Sequence, residues 1–455
     1  MIEYKNDKIQ EKYYVEVLEN GLTVYLYPKK DFYKTYAIFS TKYGSQDIEF
    51  TPIDLENSIN TPEGIAHFLE HKLFENEDGT DASTLFAKTG ADVNAFTTAN
   101  QTAYLFSATN SINDNIELLL DFVQEPCFKK ASIDKERGII EQELLMYLDQ
   151  PQSVLYFGLL KSLYKKNNVR NEIGGSVESI KQINEELLYQ CYHTFYHPKN
   201  MVFCVVGNFD KDELIELIKS NQSRKTFGEF KPITRKYYLE DGEVNEKHQF
   251  TEMDVSIPKV TVGVKIPYEK LTPYEILKKT IAIEILTDLY FDESADVYEK
   301  LMNSRVINNS FEYDVYFEET YRHIIFNLDT KNPEKFVESI TKIVNKISKQ
   351  DIDVEQFEIM KKLYQARNIK RFNSLEYIAN LMVEFHQNDL AFFDLLKSVD
   401  ELTIDDVLEA RKYFSTNAMS SFTIYPSKKY ILLVYKMIIL FSIFKTSYFH
   451  HIVLI

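Results

Sequence analysis

The segment His67-Phe68-Leu69-Glu70-His71 puts two imidazoles and a carboxylate at positions i, i+4 and i+3. On a helix these three side chains share one face. Two histidines one turn apart can hold a single zinc ion at about 2.1 Å each, with the carboxylate beside the remaining coordination positions. That arrangement suits water activation. A metal lowers the pKa of a bound water towards ~7 and polarises a carbonyl, while Glu70 takes the water proton and passes it to a leaving amine. With 9 His and 69 acidic residues in 455, chance supplies only about 0.03 matches to this pattern. The competing explanation is a solvated helix face that happens to carry two histidines, and a third ligand is needed to displace it. The later run Glu136-Arg-Gly-Ile-Ile-Glu141-Gln-Glu143 offers candidates. Glu136 and Glu143 are seven residues apart, two turns, and face the same way, whereas Glu141 points elsewhere. Glu143 as ligand with Glu136 behind it fits the rule that metal ligands are themselves held by outer hydrogen bonds.

The elements around these residues follow from turn chemistry and periodicity. Tyr13–Leu18 and Leu22–Tyr27 read as a hairpin closed at Asn20-Gly21, and a strand follows over 36–41. Thr61-Pro62 has the form of a helix start, continued by Ile65, Phe68, Leu69 and Leu73. A short helix over 82–89 and strands near 91–96 and 102–109 come next. Helices are expected over 114–124, 133–148, 153–164 and 184–195, then a strand over 201–206 and a helix capped by Asp210 and Glu213. The polar stretch 226–257 lacks periodicity and reads as a connection. A second unit, 258–429, repeats the mixture: a strand at 260–266, a helix at 273–290, strands within 308–329, helices at 332–348, 354–370 and 376–389, and a last strand at 420–425. The expected organisation is therefore an N-terminal metal-binding unit (1–225), a linker, a C-terminal unit of similar fold without a metal site, and a hydrophobic tail (430–455). Two α+β units of similar length point to an internal duplication.

Composition narrows the function. The 52 Lys and Arg against 69 Asp and Glu give a formal charge of -17, and no basic run is present, so a nucleic-acid partner is excluded as a reading. Cys127, Cys191 and Cys204 are too few for a disulfide scaffold, which favours a reducing, cytoplasmic setting. Residues 1–10 carry charges where a secretory signal needs its apolar core. The uncharged runs of the tail, 437–444 and 446–455, fall short of the ~18 residues of a membrane helix. A membrane anchor is thus the lesser reading of the tail, beside a packed extension or an altered gene end. His193 and His197 form another i, i+4 pair without an acidic third ligand and read as structural. Gly207-Asn208 reads as a strand-to-helix turn rather than an anion site. No Ser/His/Asp or Cys/His arrangement can be assembled from spacing.

The inverted motif at 67–71, the run Glu136–Glu143, and Asn94-Ala-Phe-Thr97 followed by Thr102-Ala-Tyr104 together resemble the pitrilysin/insulinase family of zinc metallopeptidases. The resemblance spans about residues 15–425. It is closest to single-half bacterial members, similar to mitochondrial processing peptidase subunits and to peptidases associated with elongation factor P modification. It implies two similar α/β-roll domains, each a mixed, mostly antiparallel sheet with helices on one face, forming half of a clamshell. It also implies one Zn2+ per chain held by His67, His71 and Glu143, with Glu70 as general base and Glu136 assisting. Asn94, Ala95, Phe96 and Thr97 would lie on the sheet edge that pairs with a peptide substrate, an expectation with its own physical basis, since an open strand edge accepts an extended chain. A homodimer or a heterodimer with a related subunit would enclose the chamber. Two departures stand out. His71 and Glu143 are 72 residues apart, slightly fewer than is common in the family, and its substrate-reaching Arg and Tyr have no match in Lys300–Tyr313. The expected activity is endopeptidase hydrolysis of short or unfolded peptides; the alternative is a non-catalytic peptide-binding or scaffold subunit of a two-chain peptidase.

Overall fold

The computed structural model describes residues 1–427, and the tail expected at 430–455 lies outside them. The first half runs through β1 (Ile2–Asn6), β2 (Glu11–Val17), β3 (Thr23–Pro28), β4 (Thr35–Thr41), β5 (Glu49–Thr51), β6 (Ile59–Asn60), α1 (Ile65–Leu73) and α2 (Ala82–Thr89). It continues with β7 (Asp92–Thr97), β8 (Thr102–Ala108), α3 (Ile112–Gln124), α4 (Lys130–Leu148), α5 (Pro151–Leu163), α6 (Val177–Ile180), α7 (Glu185–Phe195), β9 (Met201–Gly207) and α8 (Lys211–Ser223). The second half comprises β10 (Thr234–Arg235), β11 (His248–Met253), β12 (Lys259–Lys265), α9 (Pro273–Phe291), α10 (Asp296–Asn303), β13 (Glu312–Phe317) and β14 (Arg322–Asp329). It ends with α11 (Pro333–Ile347), α12 (Val354–Arg371), α13 (Leu375–Gln387), α14 (Asp394–Glu401), α15 (Ile404–Ala410) and β15 (Met419–Pro426).

Two mixed sheets organise these elements. The first has the order β1-β2-β3-β9-β4-β8-β7 and the second β11-β15-β12-β14-β13. In the first, β3 and β9 are parallel and the other neighbours antiparallel; in the second, β11 and β15 are the parallel pair. The run β3-β9-β4-β8-β7 and the run β11-β15-β12-β14-β13 thus share one order and one set of directions, so the expected duplication is present as topology. The edge strand β7 corresponds to β13.

Each sheet carries its own helices on one face. Ala37 and Phe39 of β4 enter the core with Phe68 and Leu69 of α1, Leu119 of α3 and Phe195 of α7. Tyr36 and Ile38 point the opposite way, as alternation in a strand requires. They pack with Val202 and Val206 of β9 against Ile378, Met382 and Val383 of α13. In return α5 lays Leu159, Leu160 and Leu163 against Ile325 and Phe422 of the second sheet. A side chain at Gly263 would stand 2.7 Å from Leu163, so this strand needs glycine for the helix to approach. The halves therefore exchange one helix each, α5 for α13. Each buried aliphatic side chain at these faces stabilises the fold by roughly 1.5–3 kcal/mol.

The stretch 226–257 is not a plain connection. β10 pairs with β5, and β11 adds alongside β15. Most of β11 is exposed, which leaves no apolar alternation to read, and its pairing comes from tertiary contact. The helix start also differs from expectation. Thr61 donates its hydroxyl to the Ile48 carbonyl, and α1 begins only after Gly64, which sits at the N-cap with φ +87°. β1, α10, α14 and α15 are further elements beyond those expected; α10 and α14 are amphipathic but only 8 residues long.

Candidate metal centre

Helix α1 packs against β7, β8 and α4, and this arrangement assembles the site. His67 and His71, one turn apart, have ring centroids 4.6 Å apart. From α4, Glu143 places Oε1 3.8 Å from His67 Nε2 and Oε2 3.5 Å from His71 Nε2. Glu136, two turns earlier on the same helix, has Oε1 3.0 Å from His71 Nδ1. With Nδ1 occupied in this way, the free nitrogen of His71 is the one facing Glu143. Glu141 makes no contact with the cluster.

Among the described residues, His67, His71 and Glu143 are the group of three whose donor atoms all lie within 4.8 Å of one another. The fit to a metal is chemical as well as geometric. Two imidazoles and one carboxylate form the donor set of a three-ligand zinc site, and donors at ~2.1 Å from a tetrahedral ion are about 3.4 Å apart. The observed 3.5 and 3.8 Å separations are close to that spacing. Burial, followed by repulsion from His71, drops His67 to about 4, so its lone pairs are available at neutral pH. For His71 burial opposes the charged ring, but the Glu136 hydrogen bond and the surrounding carboxylates outweigh it and raise the pKa.

Glu70 is 7% exposed. Burial pushes its carboxyl above the usual range, while the Thr97 hydroxyl, donating to Oε2 at 2.5 Å, pulls the other way. Of the residues expected on the substrate edge, Thr97 therefore also contacts Glu70. Asn94 is exposed and Ala95 and Phe96 are half-buried on β7. β7 ends the first sheet, pairing with β8 alone. The Asn94 Oδ1 accepts from the Ala95 N–H.

Other contributors escape sequence reasoning. Tyr147 donates to Glu143 Oε1 at 2.7 Å, a contact whose only trace in the sequence is the i, i+4 spacing. That hydrogen bond, ahead of burial, pushes the phenol up to about 12. A side chain at Gly64 would stand 2.1 Å from the Gly174 carbonyl oxygen, one at Gly175 2.3 Å from the Glu63 carbonyl oxygen, and one at Gly174 3.4 Å from His67 Nδ1. Gly64 and Gly175 both have positive φ. The Gly174-Gly175 turn thus presses directly on the start of α1 and on the first histidine. The Gly-Gly dipeptide was the available signal. His193 and His197 do not converge: His193 stacks on Tyr189, and His197 bonds the Gly228 carbonyl and the Lys199 N–H.

A model of the insulinase family, peptidase family M16, matches residues 58–176, the stretch that holds His67, Glu70, His71, Glu136 and Glu143. A second model, described as the peptidase M16 inactive domain, matches residues 182–364. A Bacillus subtilis protein named uncharacterized zinc protease YmfH is 40% identical over 406 residues, 89% of this chain and 94% of that protein. The chain belongs to the M16 family. Among solved structures, one described as an M16-like peptidase from Alicyclobacillus acidocaldarius aligns at TM-score 0.86 and 32% identity, covering 91% of this chain and 98% of that one. Pitrilysin aligns at TM-score 0.74 and 17% identity, over 93% of this chain but only 46% of its own. This M16 chain therefore has the fold of about half a pitrilysin chain. No helix among its described residues is long and apolar enough to cross a membrane.

Proposed function

We propose that this M16 chain is a zinc metalloendopeptidase that hydrolyses short or unfolded peptides, with His67, His71 and Glu143 holding the metal and Glu70 acting as general base. The observation that carries the reading is the convergence of two imidazoles and a carboxylate beside a buried fourth carboxylate. Zinc bound there supplies Lewis acidity, polarising a peptide carbonyl and easing loss of a proton from water. Glu70 does the proton work. The Thr97 hydroxyl holds its Oε2, which leaves Oε1 to take the proton of the attacking water and deliver it to the departing nitrogen. Glu136 orients His71, and Tyr147 orients Glu143. The open edge of β7 receives the substrate main chain as an added strand, with Asn94 to Thr97 as its contacts. Because the chain corresponds to half of pitrilysin in extent, a second copy or a related subunit closes the chamber. The three unpaired cysteines support a cytoplasmic setting.

The test is metal content together with cleavage of a quenched fluorescent peptide library. Wild type is expected to carry about one zinc per chain and to show chelator-sensitive cleavage. Glu143→Gln is expected to lose both. Glu70→Gln should keep the metal and lose roughly 10²–10⁴-fold in turnover; an active Glu70→Gln protein rules the mechanism out.

A further inference from the structure

The open edge of β7 and the Glu70 carboxylate meet in one residue. Antiparallel pairing alternates, so every second residue of an edge strand turns its N–H and C=O towards its neighbour and the others turn theirs outward. The phase of β7 is fixed at its end. The Thr98 N–H donates to the Gln101 carbonyl at 2.8 Å, which makes these two a bonded pair and the preceding pair, Thr97 and Thr102, an unbonded one. The Thr102 carbonyl agrees with this phase: it accepts from Ser40 Oγ of β4 at 3.1 Å, on the side of β8 away from β7. So does the Ala95 N–H, which is taken up by the Asn94 side chain instead of by β8. Of residues 94–97, therefore, Ala95 and Thr97 present their main chain to the open edge, while Asn94 and Phe96 turn theirs to β8.

Side chains alternate across a strand with the same period. Thr97 shares the helix-covered face with Val93 and Ala95, which pack into the core beside α1, and there its hydroxyl reaches Glu70 Oε2 at 2.5 Å. The direction of that bond is set by Thr102, which is fully buried. Thr102 has one hydroxyl proton and donates it to the Tyr43 carbonyl at 2.9 Å, so across the 3.4 Å between the two hydroxyls it can only accept. The Thr97 hydroxyl receives no proton from Thr102 and is itself the donor, and a carboxylate is the stronger of the two acceptors within its reach.

We propose that Thr97 is a two-sided positioning residue: its N–H and C=O register the substrate strand while its hydroxyl holds Glu70, so the general base is placed relative to the peptide backbone and not by α1 alone. The proposal rests on the peptidase reading above. Thr97 then acts on binding through its main chain and on turnover through its side chain. A substitution can separate the two, because valine keeps the main chain and the branched shape and removes only the hydroxyl.

The test compares wild type, Thr97→Val and Thr97→Ser, each carrying about one zinc per chain. Binding is read by fluorescence anisotropy on the same proteins with Glu70→Gln added, so it does not depend on turnover, using a peptide N-methylated at each position in turn. N-methylation should weaken binding at alternate positions, by about 2–10-fold, and equally with Thr97 or Val at the site. Turnover is read separately. Thr97→Val should lose roughly 10–100-fold in kcat, the scale of one hydrogen bond to a charged group, with peptide affinity within about twofold of wild type. Thr97→Ser should return kcat to within about threefold of wild type. A Thr97→Val protein with wild-type kcat overturns the proposal. So do a fall in affinity that matches the fall in kcat, which a loosened strand would give, and a Thr97→Ser protein no faster than Thr97→Val. Binding indifferent to N-methylation takes the substrate off the edge and overturns it as well. A wild type that binds with the alternating pattern yet cleaves nothing fails the peptidase reading and this proposal with it, whereas cleavage without the split between kcat and affinity fails this proposal alone.

Discussion

Replacing Glu136 with glutamine tests whether the two-turn spacing on α4 serves the metal. In the folded chain Glu136 Oε1 lies 3.0 Å from His71 Nδ1, both side chains are partly buried, and no other residue bonds that nitrogen. A hydrogen bond to a charged group contributes about 1.5–3 kcal/mol. Glutamine keeps an acceptor oxygen but removes the charge, so a loss of about 1–2 kcal/mol is expected, equivalent to zinc affinity roughly 5–30-fold weaker. Removal of the acceptor altogether, in Glu136→Ala, should reach the 10–100-fold range seen for outer-shell partners. The assay is competition for zinc against a fluorescent chelator at fixed pH, with circular dichroism confirming the fold. Glu141→Gln, on the same helix but without contact to the cluster, is the control and should bind as wild type does. A Glu136→Gln protein within twofold of wild type would refute the assignment, and so would an equal loss in Glu141→Gln, which would mean that helix charge alone governs affinity.

Gly64→Ala should destabilise the protein by about 3 kcal/mol or more, since φ of +87° costs an L-residue ~1–2 kcal/mol and the new Cβ would stand 2.1 Å from a backbone oxygen; a denaturant midpoint within error of wild type would contradict this. Burial, opposed by a Tyr364 hydrogen bond, pushes Glu284 up to about 7. The unfolded chain releases that proton near ~4.3, so from about pH 4.3 to 7 the folded state holds a proton that the unfolded state does not, and stability falls as pH rises through this window. The drop attributable to Glu284 is at most roughly 3.7 kcal/mol, and Glu284→Gln should flatten the curve of denaturant midpoint against pH there. A chain cut after residue 225 should bind a hydrophobic dye and unfold without cooperativity, because Tyr36, Ile38, Val202 and Val206 lose their cover of Ile378, Met382 and Val383; a monomeric fragment with one sharp transition would count against it.

What could be read in advance was whatever one helix or one hairpin encodes by itself. His67, Glu70 and His71 share a face by spacing alone, and Glu136 and Glu143 by their two-turn separation, so the cluster was legible once α1 and α4 were taken to meet. The meeting itself was not. It depends on Gly64, Gly174 and Gly175 letting backbones approach within distances any Cβ would forbid, and nothing in periodicity reports such a contact. Thr97 illustrates the same limit from the other side: its place on an edge strand follows from pattern, whereas its bond to Glu70 follows only from where α1 lies over β7. The division into two units also reads well as topology and poorly as packing. Residues 153–164 and 376–389 both carry clear helical periodicity, but periodicity does not say which sheet a helix covers. Each crosses to the other half, because a central strand buried on both faces, as β4 is, needs apolar cover on its second side and its own unit has none left to supply. The exchange ties the first sheet to α13, a helix distant in sequence from His67, His71 and Glu143.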